Sequence, residues 1–255
     1  MNASPDFSLS GRRALITGSS RGIGHALALA FARSGADVAI HCVADTTHAR
    51  EAAAAIRQLG RQSCVVEADL GADDGARRAY AGAVAGLGGI DILVCNASIQ
   101  EPTPWLTVDR GQFDRQIAVN FRSTLELCQL AAPAMQRQRW GRILTVGSVQ
   151  EAKPHPHMVV YAATKAAQTS LVHNLARQLA PEGVTVNNLA PGVIRTDRNS
   201  QRLADPAYAA SVLASIPVGF FGTAEDCTGA ALLLCSDAGR YITGHTLMAD
   251  GGLSL

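Results

Sequence analysis

The stretch Arg13-Ala-Leu-Ile-Thr17-Gly18-Ser-Ser-Arg21-Gly22-Ile-Gly24, running directly into His25-Ala-Leu-Ala-Leu-Ala-Phe-Ala-Arg33, decides the fold. A short apolar strand passes through a glycine-rich turn into an apolar helix that Ser34-Gly35 stops. Glycines at a strand-to-helix junction allow a sharp turn and let a pyrophosphate approach the helix N-terminus, where free N–H groups and the helix dipole favour anions. The glycine spacing departs from Gly-x-Gly-x-x-Gly, so the loop alone is a weak signal, and its place after a first strand strengthens it. Gly18, Ser20, Arg21, Gly22, Ile23 and Gly24 are the candidate cofactor contacts of this loop.

Outward from the loop, strands and helices alternate. Apolar runs at Asp37–Cys42, Ser63–Glu67, Ile90–Cys95, Arg142–Gly147, Val184–Ala190 and Thr246–Gly252 read as strands. Helical patterns fill Thr46–Leu59, Asp73–Leu87, Val108–Arg137, Tyr161–Leu179 and Thr223–Cys235. Seven strands alternating with helices predict an α/β fold: a doubly wound, Rossmann-type parallel sheet with helices on both faces and right-handed crossovers, in a single domain spanning 1–255. Met1 to Ser10 reads as a loose tail. The broken pattern of 193–221 reads as an insertion that covers substrate.

Composition bounds the partners. The 255 residues are 47% hydrophobic and 17% charged, with net charge +1 and no long Lys/Arg run, which argues against nucleic acid or an anionic membrane. With no apolar run of about 18 residues and no signal-like start, a cytoplasmic protein is expected. Six cysteines scattered through apolar segments without Cys-x-x-Cys suit reduced thiols, and His155 and His157 lack a third ligand, so no metal is expected.

Ligands of open parallel sheets bind at the carboxyl ends of the strands, and the polar residues at those ends are the candidates. The end of the second strand, His41-Cys42, carries no carboxylate to accept from ribose hydroxyls or to repel a 2′-phosphate, while Arg21 supplies a cation. NADP(H) is therefore preferred, with NAD(H) possible. Asp69 and Leu70 follow the third strand, where an adenine amino group would be capped, and Asn96-Ala97-Ser98 follow the fourth. Asn120 lies in a helical pattern beside Val119 and Phe121, so its amide needs a partner.

Ser148 closes the fifth strand, and Tyr161 and Lys165 lie one helical turn apart on a shared face. A phenol titrates near ~10, and moving it to ~7 takes roughly 4 kcal/mol. A lysine one turn away supplies part of this, so the pair makes most sense beside an oxidised nicotinamide, with Ser148 donating to the substrate oxygen.

Together these residues resemble the short-chain dehydrogenase/reductase family over Leu9 to Leu253, with its 3-oxoacyl thioester reductases and sugar or polyol dehydrogenases as the nearest types. Thr17-Gly-Ser-Ser-Arg-Gly-Ile-Gly24 resembles the cofactor loop, Asp69 the adenine contact, and Asn96-Ala97 the central-strand motif. Pro191-Gly192-Val-Ile194-Arg-Thr196 resembles the nicotinamide-side loop, and Asp250-Gly-Gly252 the C-terminal signature. Asn120, Ser148, Tyr161 and Lys165 match the catalytic tetrad in order and spacing. The resemblance implies a homotetramer and a reaction on a small carbonyl or alcohol. Hydride passes between nicotinamide and a carbonyl held by Ser148 and Tyr161, Tyr161 acts as acid/base, Lys165 grips the nicotinamide ribose, and Asn120 holds a relay water. One departure stands out: the family usually has Asn-Asn-Ala-Gly where this chain has Cys95-Asn96-Ala97-Ser98. Ser98, Gln150 and His157 are the candidate substrate contacts.

Overall fold

A computed structural model describes residues 6–44 and 46–255. Seven parallel strands pair in the order β3-β2-β1-β4-β5-β6-β7. They are β1 (Arg13–Ile16), β2 (Asp37–Cys42), β3 (Ser63–Glu67), β4 (Ile92–Cys95), β5 (Gly141–Val146), β6 (Val184–Pro191) and β7 (Thr246–Ala249). The order reverses between β1 and β4, whose registers align Ala14 with Ile92 and Ile16 with Val94. Such a reversal opens a crevice beyond the strand ends, because the loops leaving the two strands turn to opposite faces.

The strands are apolar on both sides because both faces are covered. Along β1, Ala14 and Ile16 face one core and Leu15 the other; along β4, Ile92 and Val94 divide from Leu93 and Cys95 in the same way. The first core is completed by helices α1 (Gly22–Arg33), α2 (Thr47–Gln58) and α9 (Thr228–Cys235), through Leu27, Phe31, Ile56 and Leu234. The second is completed by α3 (Gly75–Leu87), α5 (Ser123–Gln138) and α6 (Val159–Leu179), through Leu87, Leu127, Met135 and Val172.

Three expectations need correction. The tail is not loose up to Ser10: residues 1–5 lie outside the described residues, but Leu9 is fully buried, its N–H donates to the Ser34 carbonyl, and Ala238 N donates to Asp6 O. The long helix over 108–137 is two helices, α4 (Arg110–Ile117) and α5, joined by a π-helical turn, Ala118–Arg122. A single π turn is too short to leave a period of its own in the apolar pattern. The insertion over 193–221 is mostly helical, with α7 (Asp197–Leu203) and α8 (Pro206–Ala214). Asp205 caps α8 by accepting from Ala207 N and Tyr208 N, and Pro206 occupies the first turn, a start signal that is legible in the sequence. Ile216 and Phe221 pack with Val149 and Leu253 in a third small core that holds this segment over the sheet edge.

Candidate active site

The crevice holds a cleft of about 1020 Å³ lined from both sides of the β1/β4 switch. That is at the upper end of the range for ligand sites, enough for a long ligand plus a second molecule. Gly18, Ser20, Arg21, Gly22 and Ile23 line one end, with Asp69, Leu70, Asn96 and Ala97. Ser98, Ser148, Gln150, Tyr161, Pro191, Gly192, Ile194 and Thr196 line the other. Gly24, Asn120, Lys165 and His157 do not line it.

Each of these four has a physical reason. Gly24 is a packing residue: a Cβ there would lie 2.5 Å from Asn96 Nδ2 and from the Gly18 carbonyl. Asn96 Nδ2 donates to Thr17 O at 2.8 Å and Gly18 O at 3.1 Å, so the central-strand amide braces the glycine loop. His157 is exposed beyond the cleft, and the structure puts His155 against the cleft wall instead. Asn120 and Lys165 are buried beneath the floor.

The floor is a continuous polar network. Lys165 Nζ, on a residue 1% exposed, donates to Val146 O at 2.8 Å and Gln168 Oε1 at 2.9 Å. Burial, and then the charge of Arg198, pushes the Lys165 ammonium down to about 7, against the opposing pull of Glu151 and Cys95. Gln168 Nε2 donates to the Asn120 carbonyl at 2.8 Å and to Thr124 Oγ1 at 2.9 Å. That carbonyl lies in the π-helical turn, and the side chain of Asn120 is taken up with Ile99 N, Ile99 O and Thr164 Oγ1. The Gln168 amide thus joins the Asn120 carbonyl to Lys165 within this network.

The Tyr161 hydroxyl lies at the cleft floor beside the side chains of Ser148 and Ser98. Burial pushes its phenol above the ordinary value, the Arg198 charge and the two serines pull it down, Glu151 pushes it up, and the net direction is up. Ser148 is fixed by Glu151, whose carboxylate accepts from Ser148 N at 2.8 Å and from Asn188 Nδ2 at 2.9 Å. Gly147 must lack a side chain, since a Cβ would lie 1.9 Å from Glu151 Oε1.

Four residues of the site escaped the sequence reading: His41, Glu151, Gln168 and Arg198. His41 is fully buried, accepts from Gly18 N through Nδ1 at 3.0 Å, and places Nε2 3.0 Å from Ala68 O, tying the glycine loop to the end of β3. Those bonds assign the neutral Nε2–H tautomer. Burial pushes the imidazole down to about 4. Gln168 carried a usable signal, a lone amide on the buried side of an Ala-rich helix. Asp69 accepts from Gly71 N at 2.9 Å and pairs with Arg115 at 3.0 Å, which orients its carboxylate at the cleft wall.

The residues present fit a dinucleotide. The free N–H groups of the α1 N-terminus face a cleft long enough for it, Arg21 is exposed there, and the chain from His41 to Ala44 lines the same end without a carboxylate. Chemically, the other end can donate two hydroxyl hydrogen bonds to one oxygen and deliver a proton to it.

Comparison with known proteins agrees. A family model described as enoyl-(acyl carrier protein) reductase matches residues 18–254. The chain is 36% identical over 248 residues to 3β-hydroxysteroid dehydrogenase 1 of Eggerthella lenta, covering 97% of this chain and 95% of that one. A crystal structure of a 3-oxoacyl (acyl-carrier-protein) reductase from Agrobacterium tumefaciens with NADP bound superposes with a TM-score of 0.92 at 38% identity, covering 97% and 96% of the two chains. A 7α-hydroxysteroid dehydrogenase complexed with NADH and 7-oxo glycochenodeoxycholic acid superposes at 0.93 with 34% identity, covering 99% and 98%. Fold, cleft and relatives agree that the chain belongs to the short-chain dehydrogenase/reductase family of oxidoreductases.

Proposed function

We propose that this protein is an NADP(H)-dependent oxidoreductase that moves a hydride between nicotinamide and a carbonyl or secondary alcohol, with Tyr161 as acid/base. The observation that carries the reading is the Tyr161 hydroxyl set against Ser148 at the cleft floor with the Lys165 amine buried behind it. The bound cofactor supplies or accepts the hydride. Ser148 and Tyr161 hold the substrate oxygen, and their donors stabilise the negative charge that grows there as the carbonyl is reduced. Because burial keeps the phenol above its ordinary value, Tyr161 carries its proton at neutral pH and is ready to give it to that oxygen. Lys165, with two of its three donors committed to Val146 and Gln168, has one left for the nicotinamide ribose.

The cofactor preference rests on Arg21 and Cys42. Arg21 is exposed at the cleft and in no ion pair among the described residues, and Cys42 ends β2 where a carboxylate would repel a 2′-phosphate. The segment 193–221 acts as the substrate lid, and the whole chain serves this one site. A homotetramer fits the outward side of α5 and α6, where Leu125, Ala132, Pro133 and Leu175 line a shallow apolar groove. The test is NAD(P)H oxidation with ketones, sugars and β-keto thioesters. NADPH should give the higher kcat/KM, and faster turnover with NADH would overturn the cofactor reading.

A further inference from the structure

The active-site cleft contains one cation that the reaction does not require. Arg198, on the lid helix α7, reaches across to the end of β4, where its Nη1 donates to Ser98 Oγ at 3.1 Å and its Nη2 to the Ser98 carbonyl at 2.6 Å. Ser98 therefore presents two oxygens to the guanidinium fork. Those oxygens are neutral. None of the ion pairs among the described residues includes Arg198 or its lid neighbour Arg202. Lys153, also at this end of the cleft, donates to the Leu253 carbonyl. Glu101 and Asp197 are the acidic side chains lining the same end, and neither pairs with Arg198.

The position of that charge is informative. Ser98 Oγ accepts from Arg198, and the guanidinium charge acts on both the Tyr161 phenol and the Lys165 amine, so the cation stands beside the proton donor. A guanidinium has five N–H donors in a plane, and Ser98 takes two. The remaining donors are open to a planar anion beside the proton donor, and a charged acceptor binds them about twice as strongly as a neutral one. Gln150, which also lines the cleft, has its Oε1 buried with no partner.

We propose that the substrate carries a carboxylate close to its carbonyl, an oxo acid interconverted with the hydroxy acid, and that Arg198, held in place by Ser98, receives that carboxylate. This rests on the oxidoreductase reading above. In the reductive direction the cofactor's hydride adds to the carbonyl carbon, the C=O π bond opens, and the oxygen takes the Tyr161 proton. The nicotinamide is oxidised by two electrons and Tyr161 recovers its proton from solvent.

The experiment compares 3-oxobutanoate with its methyl ester, and with neutral ketones, in NADPH- and NADH-linked reduction by the full chain. The acid should exceed the ester in kcat/KM by about ten-fold or more, the loss typical of removing one charge-assisted contact. Arg198→Met should collapse that acid-to-ester ratio towards one, mainly through the KM of the acid, and Ser98→Gly should reduce it. Arg198→Lys, which keeps the charge but not the fork, should give an intermediate ratio and serves if the methionine variant does not fold. An ester that matches or exceeds the acid in the unmodified protein overturns the inference, as does an acid preference that survives Arg198→Met. If neutral ketones are reduced while the acid is not preferred, the inference fails alone. If no carbonyl is reduced with either cofactor, the oxidoreductase reading fails with it.

Discussion

Single residues carry the chemistry here through what surrounds them. His41 is the clearest case: its neutral ring joins the Gly18 amide to the Ala68 carbonyl, and burial has pushed it down to about 4. Unfolded, the ring titrates near 6.5, so between these values the unfolded chain holds the proton and the folded chain does not. Stability from this group is thus complete above about 6.5 and is lost as the pH falls towards 4, by about 2 kcal/mol between pH 7 and pH 5. Lys165, depressed to about 7, has a window running upward from neutrality, so below pH 7 it is charged in both states and leaves the acid slope to groups such as His41. Urea unfolding of His41→Asn at pH 7 and pH 5 should show a smaller acid loss than the unmodified protein; equal losses would mean that His41 is protonated in the fold. At the other end of the loop, a charge-assisted contact to phosphate is worth roughly 1.5 to 3 kcal/mol, so Arg21→Ala should weaken NADPH by about 10- to 150-fold. NADH should change little in the same titration. Cys42→Asp should turn the preference towards NADH by setting a carboxylate against the 2′-phosphate. The roles suggested for Arg21 and Cys42 could be read from residue type and strand position. His41 could not, because its partners come from Gly18 and Ala68, which are near it only in the folded sheet.

At the scale of elements, the strand–loop–helix start and the alternation after it were legible because the central strands β1, β4, β5 and β6 are buried on both faces and the helices packed on them on one. What the sequence hid was local: the π-helical turn at Ala118–Arg122 and the lid helix α7, whereas α8 carries its start signal in Asp205-Pro206. That turn sets the Asn120 carbonyl where Gln168 can reach it, and Gln168 in turn holds Lys165. Gln168→Leu removes the hydrogen bonds to Lys165, Asn120 and Thr124 from a fully buried side chain. The expected cost is about 2–4 kcal/mol, since Lys165 and Asn120 keep other partners. Calorimetry should record a fall in Tm of roughly 5–15 °C for a chain of this size, and an unchanged Tm would mean that the bridge adds nothing. Arg198 was hidden for a similar reason: a lid with no visible periodicity gives no direction to its side chains, and only the fold shows one arginine crossing to Ser98.

For the whole molecule, the strand order that places the switch point is seen in the fold, while the doubly wound sheet and the family follow from patterns spread over most of the chain. Substrate does not, because it depends on a few lid side chains. Assembly is the other whole-molecule property, and the apolar groove between α5 and α6 is the face on which a tetramer would close. Light scattering at micromolar concentration should give a mass four times the 26.6 kDa of one chain, and a monomer would contradict it. The catalytic reading depends on Tyr161 being the group that moves the proton. Tyr161→Phe removes one oxygen from the cleft floor and leaves the cofactor end of the cleft untouched, so NADPH should bind as before. The direct measurement is single-turnover reduction of a ketone by Tyr161→Phe preloaded with NADPH. The hydride-transfer rate should fall at least ~100-fold, the scale of a general acid's contribution, whereas a rate within a few-fold of the unmodified protein would contradict the account.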